Sequence, residues 1–324
     1  MESADAAFFA SIADQQDVQV LLNAQVADLY FAYRTIQLRI AIARDNAAIQ
    51  KRSFEITNKI FKSGNGSELD VQQAKTQYLA TRATIPNLEL ALNQTQNALS
   101  TLLGRAPGEL SELAGEVKKL PDIGSADIPA MPASLLLRRP DVRSAASKIA
   151  AQSAQIGIAE ADFYPAISLL GSVSWSGSTL DGSPDLGSLG AGPAFQWNLF
   201  DYGRIENNVR LQDARLQQLI ESYQDTVLQA AREIDDAAIS VVKTAEQQVF
   251  RDQAVQASER ALDIANRRFR EGYSDFQRVL DSQRSKFAQA ENALVNHGSH
   301  ISSVISLYKA LGGGWQATPV EQLI

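Results

Sequence analysis

The amino-acid sequence predicts a mainly α-helical fold in which one design of long helical hairpin occurs twice, with a β-hairpin between the two copies. Three observations predict it: apolar residues with heptad spacing, an internal repeat at a constant offset, and one stretch that alternates with period two. Only 10 of the 324 residues are proline, and long windows rich in Ala, Gln, Leu and Arg contain neither Gly nor Pro. This composition favours long helices over an all-β or doubly wound fold.

The first helical hairpin is predicted from apolar residues that recur every seven positions between residue 5 and about residue 62, with a second track three or four residues away. Such a seam is typical of helices that pack as a left-handed coiled coil. A glycine-rich break at 63–66 ends this helix. Ser67 is a suitable N-cap for a returning helix, which contains Pro86 and ends at Gly104. The two tracks are Ile12, Val26, Tyr33, Ile40, Ala47, Phe54 and Phe61, and Leu22, Leu29, Ile36 and Ala43.

The second helical hairpin repeats the first at an offset of 208 residues. The offset stays constant, without a gap, over about 100 residues, which indicates an internal duplication. Extended backwards, it places Met1 opposite Val209, so only the second copy follows a β-hairpin. Corresponding pairs include Gly64 and Gly272, Val71 and Val279, and Leu99 and Leu307.

These patterns divide the chain into six segments. We predict a first helical hairpin over 1–104, an irregular connector over 105–133, a helix over 134–163, a β-hairpin over 164–203, a second helical hairpin over 204–312 and a C-terminal tail over 313–324.

The β-hairpin is predicted because apolar residues alternate with Ser, Gln and Asn on both sides of a Gly/Ser/Pro/Asp-rich turn at 177–187. An isolated two-stranded hairpin is marginal in water, so it needs a partner. Its apolar face would pack on helices in a soluble α+β domain, or it would contact lipid in a membrane barrel. The sequence offers no further strands for a soluble sheet, and this favours the interpretation in which the apolar face contacts lipid. The predicted lipid-facing residues are Ile167, Leu169, Val173, Trp175, Phe195, Trp197 and Leu199.

Composition argues against several classes of function. The chain has 30 basic and 37 acidic residues and a formal net charge of −7, which argues against a nucleic-acid partner. It has no Cys, and its two histidines, His297 and His300, lie outside any HExxH pattern. We therefore predict no catalysis, no metal site and no cofactor. The carboxylates of Glu233, Asp235 and Asp236 are interpreted as a solvated helix face.

Several short motifs, spread over nearly the whole chain, share their sequence and spacing with one known family. They include LLRRPDVR at 136–143, FYPAISL at 163–169, WNLFDYGR at 197–204 and VLDSQ at 279–283. With these motifs the chain resembles the TolC-like outer-membrane efflux factors, in particular the lipoprotein (NodT-type) branch that serves resistance-nodulation-division pumps. Pro86 is usual in this branch.

The resemblance implies a homotrimer in which each chain supplies four strands and two long helical hairpins. The strands would form a 12-stranded β-barrel in the outer membrane of a Gram-negative bacterium, and the helices would continue it as an α-barrel tunnel through the periplasm. Drugs and other toxic compounds would leave through this passive duct. An inner-membrane efflux pump, linked by a periplasmic adaptor (membrane fusion) protein, would supply the energy.

The resemblance also implies roles for individual residues. Asp281 falls where the family places a pore constriction, and Asp70 lies near the same level in the first copy. The second-copy equivalent of Asp70 is Arg278, so a contact between Asp70 and Arg278 across neighbouring hairpins is a further hypothesis. Residues expected to contact the adaptor at the two turns are Gly64, Gly66, Ser67, Gly272, Ser274 and Asp275.

The N-terminal segments of this family have no counterpart in the sequence, since the signal peptide, the lipidated Cys, the first helix and the first β-hairpin are missing. Three copies with two strands each would supply six strands, fewer than the eight of the smallest bacterial barrels. We therefore expect the 324-residue form to be N-terminally truncated and not to form a channel alone. The alternatives are a soluble coiled-coil scaffold or rod, and a non-functional fragment of the channel.

Overall fold

Long helices and one β-hairpin make up the part of the chain described by the computed structural model, which covers residues 1–108, 110–113, 115, 119–124, 133–176 and 186–315. Short 3-10 turns lie at Ser111–Leu113 and Ala133–Arg138. In these ranges, none of the helices is both long enough and apolar enough to cross a membrane. The elements are α1 (Glu2–Lys62), α2 (Glu68–Leu102), α3 (Pro140–Ala161), β1 (Ala166–Ser176), β2 (Leu186–Gln196), α4 (Arg204–Arg270) and α5 (Phe276–Ala310).

The chain divides into two compact units, and the boundary falls within the long helices α1 and α4. The first unit comprises Met1–Gln15 and Pro140–Leu228, and the second comprises Gln16–Arg139 and Gln229–Ile324. The first therefore contains α3 and the β-hairpin, and the second contains α2, α5 and most of α1.

The heptad seam of α1 is buried in the middle of the helix and open towards its C-terminal end. Tyr33, Ile40 and Ala43 are buried, whereas Phe61 is exposed. Burial of apolar side chains along one stripe is the main source of stability for such long helices. The predicted seam is therefore a core stripe over only part of its length.

A cluster of apolar side chains close to the two helix turns joins all four long helices of the second unit. We call it the tip cluster. It includes Phe276, which is buried although it lies at the first position of α5. Its members are Ala74, Phe276, Val279 and Leu280, with Phe54, Leu262, Ala265 and Phe269 packed against them.

Helix α5 approaches α1 so closely that one position has room only for glycine. A Cβ atom on Gly298 would lie 2.8 Å from Thr35 Oγ1, a separation that side chains do not adopt without movement. Polar bonds reinforce the contact, since Arg39 pairs with Glu291 at 2.6 Å and Gln283 Nε2 donates to Ser53 Oγ at 2.9 Å. Helix α5 is thus tied directly to the first helical hairpin.

In the first unit, α3 is joined by hydrogen bonds to the first turns of α1 and to the start of α4. Gln155 Nε2 donates to Ser3 Oγ at 2.8 Å, and Gln152 Nε2 donates to Gln212 Oε1 at 2.9 Å. The hydroxyl of buried Ser144 donates to the carboxylate of Asp14, and this bond lowers the pKa of Asp14.

Asp201 caps the N-terminus of α4 at the end of the WNLFDYGR motif. Its Oδ2 accepts from the Ile205 N–H at 2.7 Å, and its Oδ1 accepts from the Gly203 N–H at 3.3 Å. Tyr202 and Gly203 both have positive φ, 52° and 79°, which turns the chain sharply into the helix. The hydrogen bond from Ile205 holds the pKa of the Asp201 carboxyl below its ordinary value.

Replacing Asp201 by Ala is expected to speed hydrogen exchange of the Ile205 amide about tenfold at pH 7, because that N–H loses its acceptor. Because the folded-state pKa is lowered, the contribution is present above the ordinary Asp pKa of about 4 and is lost as the pH falls through the lowered value. The wild type and the variant should therefore converge in acid. Equal exchange at pH 7 would contradict the capping role.

Candidate functional site: the helix turns and the β-hairpin

The two helix turns have the same backbone structure. Gly64 and Gly272 have φ of 80° and 79°. The Gly64 N–H donates to the Phe61 carbonyl at 2.9 Å, and the Gly272 N–H donates to the Phe269 carbonyl at 3.1 Å. Both glycines occupy the left-handed region that ends a helix with little steric cost. The internal repeat thus extends to the geometry of the turns.

The side chains of the two turns differ. Ser67 Oγ accepts from the Leu69 N–H at 3.2 Å and caps α2, whereas Asp275 forms no side-chain cap on α5. Glu68 is exposed, and its equivalent Phe276 is buried in the tip cluster. Of the other predicted adaptor-contacting residues, Gly64, Gly66, Gly272 and Asp275 are exposed, and Ser274 is half-buried.

The charged residues predicted for a pore constriction lie within the first two turns of α2 and α5. Asp70 is half-buried, and Arg278 and Asp281 are exposed. Asp281 accepts from Gln277 Nε2 at 3.2 Å and lies 4.0 Å from Arg284 Nη1. Among the described residues, no ion pair joins Asp70 to Arg278. Their contact therefore stays a prediction for neighbouring copies of the chain.

The β-hairpin places the predicted apolar residues of its two strands on one face. In the antiparallel register, Ile167 is opposite Phe195 and Val173 is opposite Leu189. On the other face, the hydroxyls of Ser174 and Ser188 share a hydrogen bond of 2.7 Å. The exposed fraction of the apolar side chains is large, for example 83% for Val173. The predicted residues Leu169 and Trp175 share this face and are also exposed.

Trp197 and Leu199, two of the predicted lipid-facing strand residues, do not belong to β2, and their contact with lipid stays a prediction. The strand ends at Gln196, and both residues lie beyond it. Trp197 Nε1 donates to the carbonyl of Phe163 at 3.1 Å, which fixes the indole against the chain entering β1. Period two in the sequence does not reveal this bond, because the partner is a backbone atom 34 residues away. The predicted turn at 177–187 lies mainly outside the described residues.

Both histidines of α5 bind the connector. Nε2 of His297 lies 3.0 Å from the carbonyl oxygen of Pro121, and Nε2 of His300 lies 3.1 Å from that of Ile123. A carbonyl only accepts, so each Nε2 carries a proton and donates. His300 is buried, and its Nδ1 is 2.8 Å from Thr244 Oγ1 of α4. The histidines therefore fasten residues 121–123 to the second helical hairpin.

Replacing His300 by Phe is expected to destabilise the connector by about 1–2 kcal/mol, because the aromatic ring is kept but the half-buried Ile123 carbonyl loses its donor. Hydrogen exchange of residues 119–124 should report the change. His297→Phe is the matched control, since it removes one hydrogen bond at a less buried ring and should have the smaller effect. Equal exchange in the wild type and His300→Phe would show that His300 does not hold the connector.

The Glu233 carboxylate is half-buried and paired with an arginine, whereas the interpretation of the carboxylate cluster had it freely solvated. Its Oε2 accepts from Arg139 Nη2 at 2.9 Å, and Arg139 Nη1 donates to the carbonyl of Ala310 at 3.0 Å. Arg139 is buried. The second arginine of the LLRRPDVR motif thus links residue 139 to α4 and to the last turn of α5 within the second unit. The sequence shows the arginine but not its distant partners.

Both helical hairpins and the β-hairpin lie within the residues that match a known protein family. Residues 1–105 and 131–313 match the model of the outer membrane efflux protein family. The chain belongs to this family. The sequence-based assignment to TolC-like efflux factors and the predicted fold class, mainly α with a β-hairpin, are thereby confirmed. Relatives in this family are outer-membrane channel and transport proteins.

Curated relatives resemble the chain over almost its whole length. The solvent efflux pump outer membrane protein SrpC of Pseudomonas putida is 32% identical over 310 residues, which cover 94% of this chain and 65% of SrpC. The cation efflux system protein CusC of Escherichia coli O157:H7 is 31% identical over 313 residues, covering 93% of this chain and 66% of CusC. The chain thus spans about two thirds of the length of these relatives.

Solved structures share the fold. The outer-membrane channel OprN has a TM-score of 0.87 and 34% identity, with 98% of this chain and 71% of OprN covered. The open state of the Neisseria gonorrhoeae outer membrane channel MtrE has a TM-score of 0.83 and 26% identity, with 97% of this chain and 71% of MtrE covered. These similarities extend over both helical hairpins and the β-hairpin.

Proposed function

We propose that this chain is the outer-membrane channel component of a tripartite efflux system, a passive exit duct for toxic compounds that performs no catalysis. The observation that carries the proposal is the match to the efflux family on both sides of the connector. The exposed apolar face of the β-hairpin supports it, because Ile167, Leu169, Val173 and Trp175 would contact outer-membrane lipid.

The proposed assembly is a homotrimer that spans the outer membrane of a Gram-negative bacterium and extends into the periplasm. Its long helices would form the periplasmic tunnel. The exposed turns at 63–67 and 271–275 would contact a periplasmic adaptor, which links the duct to an inner-membrane efflux pump. The exposed positions of Gly64, Gly66, Ser67, Gly272 and Asp275 agree with such a contact.

A chimera tests the function in the context of a complete channel. The matched region of OprN would be replaced by this chain, and the chimera expressed in a Gram-negative host without its own channel. We expect a trimer in the outer-membrane fraction that conducts ions in planar bilayers. In the control Val173→Glu, a charge on the apolar face should prevent membrane insertion. A chimera that stays soluble and conducts no ions would contradict the proposal.

Asp281 is proposed to form a carboxylate ring at the constriction, with Arg278 nearby as an opposing charge. In the chimeric channel, Asp281→Asn should lower the ratio of cation to anion permeability by roughly twofold or more, because the ring attracts cations. Arg278→Ala should change the ratio in the opposite direction. Reversal potentials in a salt gradient measure both. Unchanged selectivity in both variants would place the constriction elsewhere.

A further inference from the structure

The end of the second unit that carries the two helix turns is positively charged, although the chain as a whole is acidic. Residues 50–80 and 258–288 correspond to each other in the internal repeat, and together they hold 12 of the 30 basic and 8 of the 37 acidic residues. The remaining sequence holds 18 basic and 29 acidic residues. Apolar side chains of both ranges meet in the tip cluster, so the two ranges lie at one end of the unit. We call it the basic end.

Basic residues precede both turns at the same positions. Lys62 and Arg270, which are equivalent in the repeat, are the last residues of α1 and α4. Two further pairs of equivalent basic residues lie three and ten positions earlier, which places all three within an arc of about 80° on each helix. Each helix therefore carries a basic stripe that ends at its turn and contains one acid, Glu55 or Asp263. The two further pairs are Lys59 with Arg267 and Arg52 with Arg260.

The acids of the two stripes neutralise only some of these cations. Asp263 pairs with Arg260 at 3.1 Å and with Arg267 at 2.8 Å. Oε1 of Glu55 lies 3.8 Å from Nζ of Lys51. Within the described part of the chain, six exposed cations at the basic end form no ion pair: Arg52, Lys59, Lys62, Arg268, Arg270 and Arg278.

The helix dipole explains only part of this pattern. Cations in the last turn of a helix interact favourably with its C-terminal end, which accounts for Lys59 and Lys62. The effect falls off beyond that turn, so it does not account for Arg52, which lies ten residues before the end of α1. It disfavours Arg278, which is the third residue of α5. The excess of cations at this end therefore requires another explanation, and a concentration of unpaired charge attracts a surface of opposite charge.

We propose that the basic end binds a protein surface that carries several carboxylates, and that this surface is the contacting end of the periplasmic adaptor. The inference rests on the proposed function, in which the turns at 63–67 and 271–275 contact that adaptor, and it adds the chemistry of the partner. Lys62 and Arg270 adjoin the turns and pair with these carboxylates first. Attraction between the two charged surfaces speeds their association, and salt weakens it.

Binding of designed peptides to the purified full chain in detergent tests the preference for acidic groups. Three helical-hairpin peptides with one backbone carry Glu, Gln or Lys at the exposed positions of their turn. In about 50 mM NaCl, we expect fluorescence anisotropy to show that the Glu peptide binds roughly tenfold more tightly than the Gln peptide and that the Lys peptide does not bind. In about 500 mM NaCl the difference should largely disappear. Equal affinities for the Glu and Gln peptides at low salt would overturn the proposal.

A pair of double variants tests where the Glu peptide binds. Lys62→Gln with Arg270→Gln is expected to weaken its binding about fivefold to tenfold, because two cations beside the turns are lost. Arg215→Gln with Arg232→Gln is the matched control, since both arginines are exposed on α4 without an ion pair in the described ranges. This control removes the same charge and should change the affinity by less than about twofold. Equal effects of the two double variants would overturn the proposal.

Two further measurements distinguish this inference from its alternatives. If Lys62→Gln with Arg270→Gln fails to fold, Lys59→Gln with Arg268→Gln takes its place. An oligomeric state that changes in the basic-end variant would assign the cations to contacts between copies of the chain and overturn the proposal. An OprN chimera that conducts ions while the full chain shows no preference for the Glu peptide would overturn the partner chemistry alone. A clear preference together with a chimera that stays soluble would contradict the proposed function and, with it, the adaptor as the acidic partner.

Discussion

Replacing Phe276 by Ala is expected to lower the free energy of unfolding of the second unit by about 3–5 kcal/mol. Phe276 is buried in the tip cluster, where its ring centroid lies 5.2 Å from that of Phe269. Its removal opens a cavity between α2, α4 and α5 that rigid helices cannot close. Urea denaturation followed by circular dichroism at 222 nm measures the change.

Tyr273→Ala is the matched control for this experiment. Tyr273 is an aromatic residue of the same turn, but its exposed fraction is 81%. Its truncation should change the free energy of unfolding by less than about 0.5 kcal/mol. Similar losses in the two variants would mean that the tip cluster is not what holds this end of the helices together.

Replacing Arg139 by Ala is expected to cost about 2–3 kcal/mol of stability. The guanidinium is buried and bridges the Glu233 carboxylate and the Ala310 carbonyl, both at about 3 Å. That carbonyl is among the last four of α5, whose oxygens receive no hydrogen bond from an N–H group within the helix. Because the Glu233 side chain keeps 39% of its exposure, its charge remains partly hydrated, so the expected loss falls below that of a fully buried pair.

Arg210→Ala controls for the loss of an arginine from an ion pair. Arg210 pairs with Glu206 on the surface of α4, and both side chains are more than half exposed. Such pairs contribute at most about 1 kcal/mol, so Arg210→Ala should leave the denaturation midpoint nearly unchanged. If both substitutions had the same small effect, Arg139 would be a surface contact and not a structural bridge.

The helical part of the fold could be predicted from local patterns. Heptad spacing and the glycines at the turns depend on residues close in sequence, and the left-handed conformations of Gly64 and Gly272 follow from them. The repeat strengthened these predictions, because each feature was seen twice.

Contacts between distant residues could not be predicted in the same way. The bonds of His300 to Ile123, of Arg139 to Glu233 and of Trp197 to Phe163 join residues that no periodicity relates. Two of the three also have a backbone carbonyl as acceptor, which every residue offers. The sequence therefore showed the polar side chains but not their partners, and it did not show that His300 is buried.

The two helix turns have the same backbone conformation but differ in the side chains that pack beneath them. Equivalent positions hold the exposed Glu68 and the buried Phe276, so only the second turn is anchored by a large apolar side chain. Local opening requires less free energy where fewer apolar contacts must break. The turn at 63–67 will therefore fray more often than the turn at 271–275. A protein that binds both turns would therefore contact one flexible surface, at 63–67, and one preorganised surface, at 271–275.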